Sequence, residues 1–219
     1  MNDYINITCE DNMALMARYP DNYFDLAIVD PPYGIKRSGQ LETFTKNPKH
    51  KRKHHEDKKW DNHKPGAKYW EGLFRVSKNQ IVWGSNYFTN YLPPSMGWIY
   101  WDKGQKLSMS DGELAFSSFE RALRSVTINR AKIAEAGGAI HPTQKPFFLY
   151  KWILLNYANP GDKILDTHIG SGSIAIAVDS VNKVEGMNLT LTGCELDPEY
   201  YAKAMERIKD KTAQQCLFQ

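Results

Sequence analysis

The segment Asp30-Pro31-Pro32-Tyr33 follows an apolar, β-branched run and places a carboxylate and an aromatic ring on a stiff backbone. Two consecutive prolines fix φ and remove two N–H donors, so the carbonyl oxygens there stay free as acceptors. Proline also keeps the residue before it out of the helical region, which extends the backbone at Asp30. A simple strand-ending turn explains the same residues, so the motif has to be judged together with the rest of the sequence.

The exocyclic amine of a nucleobase is a substrate that fits these groups. Such an amine is a weak nucleophile because its lone pair is conjugated into the ring, and it carries two N–H donors. The Asp30 carboxylate and the Pro31 carbonyl can accept both hydrogens, which holds the amine and raises the electron density on nitrogen. The Tyr33 ring can stack on the base and keep it outside a duplex.

A second motif, ILDTHIGSGSIAIA at 164–177, predicts a strand, a Gly-x-Gly turn and a helix rich in small residues. Gly170, Gly172 and Ala175 match the G-x-G-x-x-A pattern of loops that approach a nucleotide cofactor. Glu195 ends the next predicted strand, where a carboxylate can accept both ribose hydroxyls of an adenosine group. A tight β–α turn explains each feature singly, and the pattern does not separate a dinucleotide from S-adenosylmethionine.

Alternating strands and helices must position these motifs. The alternation at both ends of the chain predicts parallel βαβ units, hence an α/β fold with helices on both faces of an open sheet, in one domain spanning 1–219. Ligands bind beyond the carboxyl ends of the strands in such sheets. The polar clusters at 30–33, 166–172 and 194–197 are therefore expected to line one rim.

Composition narrows the class of protein. With 219 residues and 42% hydrophobic content, the chain can build a large core. Its three cysteines have no C-x-x-C spacing, so neither a zinc site nor a disulfide framework is indicated, and a reducing cytosol is expected. The N-terminus lacks a secretion signal, and no apolar run approaches the ~18 residues of a membrane-spanning helix.

The charge is concentrated in one segment. Residues 36–64 contain ten lysines and arginines against four acidic residues, a local charge of +6 within a chain of net charge +3. Concentrated basic charge marks a surface that meets phosphates, whereas a solvated loop without a partner is the simpler explanation. The four histidines in this segment lack a ligand framework, so no metal site is expected.

The order of the motifs resembles the β group of DNA amino-methyltransferases, in which D-P-P-Y precedes the cofactor glycine loop. The similarity covers most of the chain, from DNMALMARYPDNYFDLAIVDPPYG through IVWGSNYF and HPTQKP to GCELDPEYYAKAMERI. It implies an S-adenosylmethionine-dependent methyltransferase that acts on the N6 amine of adenine in double-stranded DNA, in a bacterial or phage-encoded cytoplasmic setting. The implied fold is a Rossmann-like sheet, usually of seven strands with one antiparallel strand near the edge, in circularly permuted motif order.

The resemblance also assigns roles to residues, and it requires no metal. Asp30, Pro31, Pro32 and Tyr33 correspond to the catalytic motif. The implied cofactor-binding residues are Asp11 near the adenine, Glu195 on the ribose, and His141, Thr143, Lys145, Asp166, Gly170, Ser171 and Gly172 around the methionine part. His168 and Ser173 are also expected to bind the cofactor, without an assigned part of it. A helix start with Pro146 in its first turn explains the 141–146 segment equally well.

Two departures from the family pattern stand out. Thr167-His168 replaces the usual Pro-Phe, whose phenylalanine packs against the cofactor, so the role of His168 is open. The region 102–140, where relatives carry a target-recognition domain, is short. Contact with the bases is then expected to fall to the basic segment 36–64.

Other functions fit parts of the sequence. An N4-cytosine methyltransferase has the same geometry, although such enzymes more often carry Ser at position 30. A nicotinamide-dependent oxidoreductase fits the glycine loop and Glu195 but leaves the two prolines unexplained, and a non-catalytic nucleic-acid-binding subunit leaves the intact Asp30 and Tyr33 unexplained. The helix PFFLYKWILLNYA is apolar nearly all round, which indicates burial against the sheet or a homodimer face.

Deletion of residues 41–58 tests the role of the basic segment. Because this segment concentrates positive charge beside the catalytic motif, we expect the deletion to weaken DNA binding and leave cofactor binding intact. Fluorescence anisotropy with labelled duplex DNA and calorimetry with S-adenosylhomocysteine measure the two affinities. Equal DNA affinity before and after the deletion would rule the hypothesis out.

Overall fold

The computed structural model describes residues 2–35, 60–104, 110–129 and 144–214. Within them, eight strands form one sheet in the order β1-β8-β7-β2-β3-β5-β4-β6. The strands are β1 Ile5–Cys9, β2 Phe24–Val29, β3 Ser77–Trp83, β4 Ile99–Asp102, β5 Gly112–Ser117, β6 Arg124–Thr127, β7 Lys163–Asp166 and β8 Thr190–Glu195. The helices are α1 Asn12–Ala17, α2 Ala67–Val76, α3 Phe147–Tyr157, α4 Ser173–Glu185 and α5 Pro198–Gln214.

The predicted α/β fold with a mostly parallel sheet is confirmed. Five neighbouring strands, β1, β8, β7, β2 and β3, run parallel, and β5 is antiparallel to both β3 and β4. The expected count of seven strands is wrong for this chain, because β6 pairs with β4 and adds an eighth strand at the edge. The antiparallel strand β5 therefore lies third from the edge.

Helices cover both faces of the sheet, as the alternation predicted. Alternate residues of β2 point to opposite faces: Leu26 and Ile28 pack with α3, α4 and α5, whereas Ala27 and Val29 pack with α1 and α2. Both sets are fully buried, which explains why β2 is apolar from residue 26 to residue 29 and does not alternate with polar residues there.

The helices begin and end where the sequence signals place them. Asp11 caps α1 by accepting hydrogen bonds from the backbone N–H groups of Met13 and Ala14, at 2.8 and 3.3 Å. On α2, Tyr69, Leu73 and Val76 are spaced by three or four residues and are buried on one side. Pro146 is the residue just before α3, one position earlier than the first turn in which it was expected.

Parallel pairing brings the strand ends that carry the motifs to one rim. Ala27 of β2 pairs with Leu165 of β7, so Asp30 and Asp166 leave the sheet at the same edge. Asp166 of β7 pairs with Gly193 of β8, which places Glu195 beside them. Helices long and apolar enough to cross a bilayer do not occur in the part of the chain that the structure describes.

Candidate active site

A cavity of about 870 Å³ opens at the carboxyl ends of the parallel strands. Its wall combines the three predicted clusters, which confirms that they share one rim. The lining includes Asp11, Asp30, Pro32, Lys145, His168, Gly170, Ser171 and Glu195 from the sequence-based set, together with Asn12, His63, Lys64, Lys68, Tyr69 and Tyr150. Across the described residues, no group of three His, Cys, Asp or Glu side chains is spaced to hold a metal ion.

The Asp30–Tyr33 turn follows β2 directly and is stiffened from outside as well as by its prolines. Pro31 is buried, and Pro32 faces the cavity. Gly34 has φ +71°, and its N–H donates to Asp61 Oδ1 at 2.9 Å. Asp61 is 2% exposed, so the end of the basic segment is packed against the turn.

The Tyr33 side chain packs inward, which differs from the expected ring presented for stacking. Its hydroxyl donates to Asp30 Oδ1 at 2.5 Å. One face of the ring stacks on Tyr87, with centroids 5.0 Å apart and planes 15° from parallel. Gly84, at φ +65°, lies so close that an added Cβ would be 2.1 Å from Tyr33 Cε1. Tyr33 is therefore held in place by groups that the sequence analysis did not identify.

Lys145, which is expected around the methionine part of a cofactor, also pairs with two carboxylates. Its ammonium contacts Asp30 Oδ2 and reaches Glu113 Oε2 at 3.3 Å. Lys145 still contributes to the cavity wall. Its main partners are the carboxylate of the catalytic motif and Glu113 on β5, because the antiparallel strand brings Glu113 to this end of the sheet. His141 and Thr143, from the same motif, lie outside the described residues.

The glycine loop joins β7 to α4. Gly170 and Gly172 have φ values of +53° and +73°, a region that favours glycine. The Gly170 N–H donates to Glu195 Oε2 at 2.9 Å, so the loop and the carboxylate on β8 are coupled. The Ser171 hydroxyl lies 3.1 Å from that of Ser173, the first residue of α4. The loop therefore presents backbone groups and a carboxylate to the same part of the cavity.

Helix α5 supports this loop from behind. Arg207 donates to the Ser171 carbonyl oxygen at 2.7 Å and to the Ser173 hydroxyl at 3.2 Å. A Cβ on Gly172, where φ is +73°, would lie 2.7 Å from Ile208 Cδ1, so a larger residue would have to displace the Ile208 side chain. Sequence analysis missed both α5 residues, because nothing in an amphipathic helix indicates which arginine turns toward a distant loop.

His168 is half-buried in the cavity wall and forms part of a chain of polar side chains. Its Nε2 lies 3.2 Å from Asn12 Nδ2, and its Nδ1 lies 2.9 Å from the Thr167 hydroxyl. That hydroxyl is 2.8 Å from the Tyr69 hydroxyl. Burial lowers the pKa of His168 to about 3, so the ring is neutral. The imidazole therefore occupies the wall as a neutral ring with fixed hydrogen bonds, close to the Tyr69 ring.

The rim concentrates carboxylates. Burial raises the pKa of Asp166 to about 8, and Asp30 and Glu195 add to the effect, although the His168 N–H opposes it. Burial likewise raises the pKa of Glu195. Half-buried Asp30 and Glu195 line the cavity, and Asp166 is buried behind it. Such carboxylates favour a cationic ligand, because positive charge stabilises their ionised forms.

Comparison with known proteins agrees with this geometry. The sequence model of the DNA methylase family matches residues 81–206, more than half of the chain. The type II methyltransferase M2.DpnII of Streptococcus pneumoniae is 24% identical over 91% of this chain and 87% of its own. The DNA adenine methyltransferase YhdJ of Escherichia coli strain K12 is 39% identical over 31% of this chain, and the type II methyltransferase M.HpaI of Haemophilus parainfluenzae is 37% identical over 31%. These two matches span only about a fifth of each relative.

Solved structures share the fold at low sequence identity. The M1.HpyAVI–SAM complex superposes with a TM-score of 0.61 at 19% identity, covering 93% of this chain and 99% of that one. The cytosine-N4-specific PvuII DNA methyltransferase gives a TM-score of 0.59 at 14% identity, with coverage of 98% and 93%. These similarities establish the sheet architecture.

Substituting Asp166→Asn tests whether the raised pKa of Asp166 makes the folded protein less stable as the pH rises. The folded-state pKa of about 8 lies above the ordinary value of 3.8, so the folded protein binds more protons between these pH values, and its stability falls as pH rises through that window. Asn cannot ionise but can still accept the His168 N–H. We expect Asp166→Asn to have a higher Tm than the parent at pH 8, by ~2–4 °C per kcal/mol, and an equal Tm near pH 4.

Thermal unfolding followed by circular dichroism from pH 4 to pH 8 measures this difference. Asp166→Ala, which also loses the acceptor for the His168 N–H, is the matched control and should be less stable than Asp166→Asn throughout. A Tm difference between parent and Asp166→Asn that does not grow with pH would contradict the prediction.

Proposed function

The chain belongs to the DNA methylase family, and on that premise we propose that it is an S-adenosylmethionine-dependent methyltransferase acting on the N6 amine of adenine in DNA. One observation carries the proposal: Asp30 and the glycine loop border the same cavity. Asp30 and Asp166, which begins the segment leading to that loop, are 136 positions apart in the sequence. An acceptor for an amine thus lies beside a loop suited to a nucleoside cofactor. Residues 1–219 act in this proposal as one catalytic unit.

The cavity fits S-adenosylmethionine in volume and in charge. Its ~870 Å³ lies within the ~300–1,000 Å³ of ligand pockets. Glu195 would accept the ribose hydroxyls, and its carboxylate also accepts the N–H groups of Gly170 and Asp197. Asp166 and the 170–173 loop would hold the cationic methionine part, with His141 and Thr143 completing the enclosure. Asp11 would lie near the adenine, and His168, also in the cavity wall, would contact the cofactor.

The chain's own residues position the acceptor amine. Bound S-adenosylmethionine supplies the methyl group: nitrogen bonds to the methyl carbon as the carbon–sulfur electron pair passes to sulfur. Asp30 and the Pro31 carbonyl accept the two N–H hydrogens, and the ionised Asp30 is the acceptor for the proton that the amine loses afterwards. Pro32 faces the cavity, and Tyr33 stacks on the base after its contact with Tyr87 opens. Neither a metal nor a covalent enzyme intermediate is needed.

Adenine is the proposed target base because Asp occupies position 30 and a relative with 39% identity is named a DNA adenine methyltransferase. N4-cytosine methylation is the competing outcome, since the PvuII enzyme shares the fold.

Lys64 and Lys68, on the wall of the cavity, and the adjoining basic segment 36–59 are the proposed contacts with DNA phosphates. A bacterial or phage-infected cytoplasm is the proposed setting.

A homodimer through α3 is a further proposal, supported by the apolar side chains of Phe148 and Leu155, which are 42% and 43% exposed. We expect wild-type protein to elute as a dimer, and a Phe148→Asp, Leu155→Lys double variant to elute as a monomer, because charge at both positions opposes burial. Light scattering after size exclusion gives the masses. A monomeric parent would contradict the proposal.

Asp30→Ala tests the catalytic assignment. We expect methyl transfer to fall by about 10²–10⁴-fold, because the amine loses a positioned acceptor, while S-adenosylhomocysteine binding persists. Mass spectrometry of nucleosides from treated duplex DNA measures the product and should show N6-methyldeoxyadenosine for the parent. Asp21→Ala removes an exposed carboxylate that pairs with Arg75 and serves as the control.

Three results would count against the proposal. Retained turnover in Asp30→Ala would remove Asp30 from catalysis. N4-methyldeoxycytidine as the parent's product would replace adenine by cytosine. Tight binding of a nicotinamide cofactor with weak binding of S-adenosylhomocysteine would replace the reaction class.

A further inference from the structure

Four charged side chains form a row that begins at the Asp30 carboxylate. Lys145 Nζ contacts Asp30 Oδ2 and lies 3.3 Å from Glu113 Oε2. Lys103 Nζ lies 2.9 Å from Glu113 Oε1. Two ammonium groups thus alternate with two carboxylates, and the formal charges of the row cancel. Glu113 and Lys103 lie on and beside the antiparallel β4–β5 pair, which no sequence motif had linked to the site.

Burial of these charged groups lowers the stability of the fold unless their mutual attraction offsets the loss of hydration. Lys145 is 3% exposed and Lys103 is 6% exposed. Withdrawing an ammonium group from water costs several kcal/mol, which the charge partners offset only when their geometry is good. Apolar residues of similar size are often as stable at such positions. A structural need alone does not explain why the row ends on the Asp30 carboxylate.

Lys145 shares its positive charge between two acceptors. Its ammonium also lies over the Trp83 ring, 5.3 Å from the centroid, which fixes the amine end of the side chain from a third direction. An ammonium paired with Asp30 alone keeps that carboxylate ionised but weakens it as a hydrogen-bond and proton acceptor. Glu113 attracts the same ammonium group, so the positive charge of Lys145 acts less strongly on Asp30.

We propose that Glu113 is a positioning residue for methyl transfer: it holds the Lys145 ammonium so that the ionised Asp30 carboxylate remains a strong acceptor for the target amine. Lys103 limits this pull by neutralising Glu113 from the far side. The inference rests on the proposed methyltransferase function and deepens it by assigning a role to the antiparallel strand β5. Glu113 acts through Lys145 and has no contact with Asp30 among those described.

Other ionisable groups also face this row. Tyr33 donates to Asp30, and Tyr69, Tyr150 and Asp166 are close enough to interact with it electrostatically. Burial raises the pKa of all three tyrosines, so they stay neutral near pH 7. For Asp30, burial raises the pKa, Lys145 lowers it, and Glu113 raises it again. Removing the Glu113 charge therefore lowers the pKa of Asp30.

Glu113→Gln gives a test with a readout that a purely structural role would not move. Single-turnover methylation of duplex DNA is measured from pH 5 to pH 9 with saturating S-adenosylmethionine. We expect the plateau rate to fall about tenfold or more, since the ammonium pairs wholly with Asp30. We also expect the acid limb of the rate profile to move to lower pH, because the pKa of Asp30 falls. S-adenosylhomocysteine affinity should stay within about twofold of the parent.

Two further variants make the test directional. Glu113→Asp keeps the charge and should restore the acid limb to its parental position. Lys103→Gln removes the competing cation, so Glu113 draws Lys145 more strongly and the acid limb should move to higher pH, opposite to Glu113→Gln. Glu185→Gln, which removes the carboxylate paired with Lys151 at 3.5 Å away from the cavity, is the control and should match the parent.

Each outcome decides the inference. The inference would be overturned if Glu113→Gln kept the parental plateau rate and the parental acid limb. It would also be overturned if the acid limb moved in the same direction in Glu113→Gln and Lys103→Gln. Should Glu113→Gln fail to fold, the direction of the Lys103→Gln shift still decides, and an unmoved limb counts against the inference. A parent enzyme that methylates no DNA would instead refute the proposed function, which keeps the two failures distinct.

Discussion

The parallel pairing of β2 with β7 is the constraint on which the site depends. Leu26 pairs with Ile164 and Ala27 with Leu165, although these residues are far apart in the chain. Because both strands run in the same direction, the residues that follow them emerge at one edge of the sheet. Asp30 and Asp166 are brought together in this way, and the cavity lies between the turn that follows one strand and the loop that follows the other.

This pairing brings like charges together, and side chains from neighbouring segments offset the repulsion. Two buried carboxylates at one rim oppose each other's ionisation, and Asp30 indeed contributes to the raised pKa of Asp166. Lys145 stabilises the Asp30 side by direct contact, and β5 supplies Glu113 to stabilise Lys145 in turn. The Asp166 side contacts the His168 N–H instead and keeps a pKa of about 8. Under the proposed function, the Asp30 side of the cavity would accept the target amine, and the Asp166 side would receive the cationic part of the cofactor.

Sequence analysis could predict the parts of this site that local chemistry determines. Prolines after β2, glycines with positive φ after β7 and a carboxylate at the end of β8 each follow from rules that act within a few residues. The same is true of the strands and helices, whose apolar spacing and capping residues are visible in the sequence. Parallel alternation then predicts that the three clusters share a rim, and the structure confirms it.

Contacts between distant side chains could not be predicted. Glu113 lies in the stretch GELAFS, where it looks like the polar residue of an ordinary edge strand, and its link to Lys145 depends on β5 inserting between β3 and β4. The resemblance to a family placed Lys145 beside the methionine part of a cofactor, whereas its ammonium is directed to Asp30. Arg207 supports the glycine loop through a tertiary contact, and the apolar spacing of a helix does not predict such a contact.

Tyr33 shows what the two prolines do and do not fix. They hold the backbone of the turn, but the ring is held by its bond to Asp30, by the stack on Tyr87 and by the close approach of Gly84. An amine that takes Asp30 Oδ1 competes with the Tyr33 hydroxyl, so base binding weakens the contact that keeps the ring inward. In the proposed reaction, release of the ring and occupation of Asp30 would be coupled: the carboxylate that holds Tyr33 would free the ring for stacking once the amine is bound.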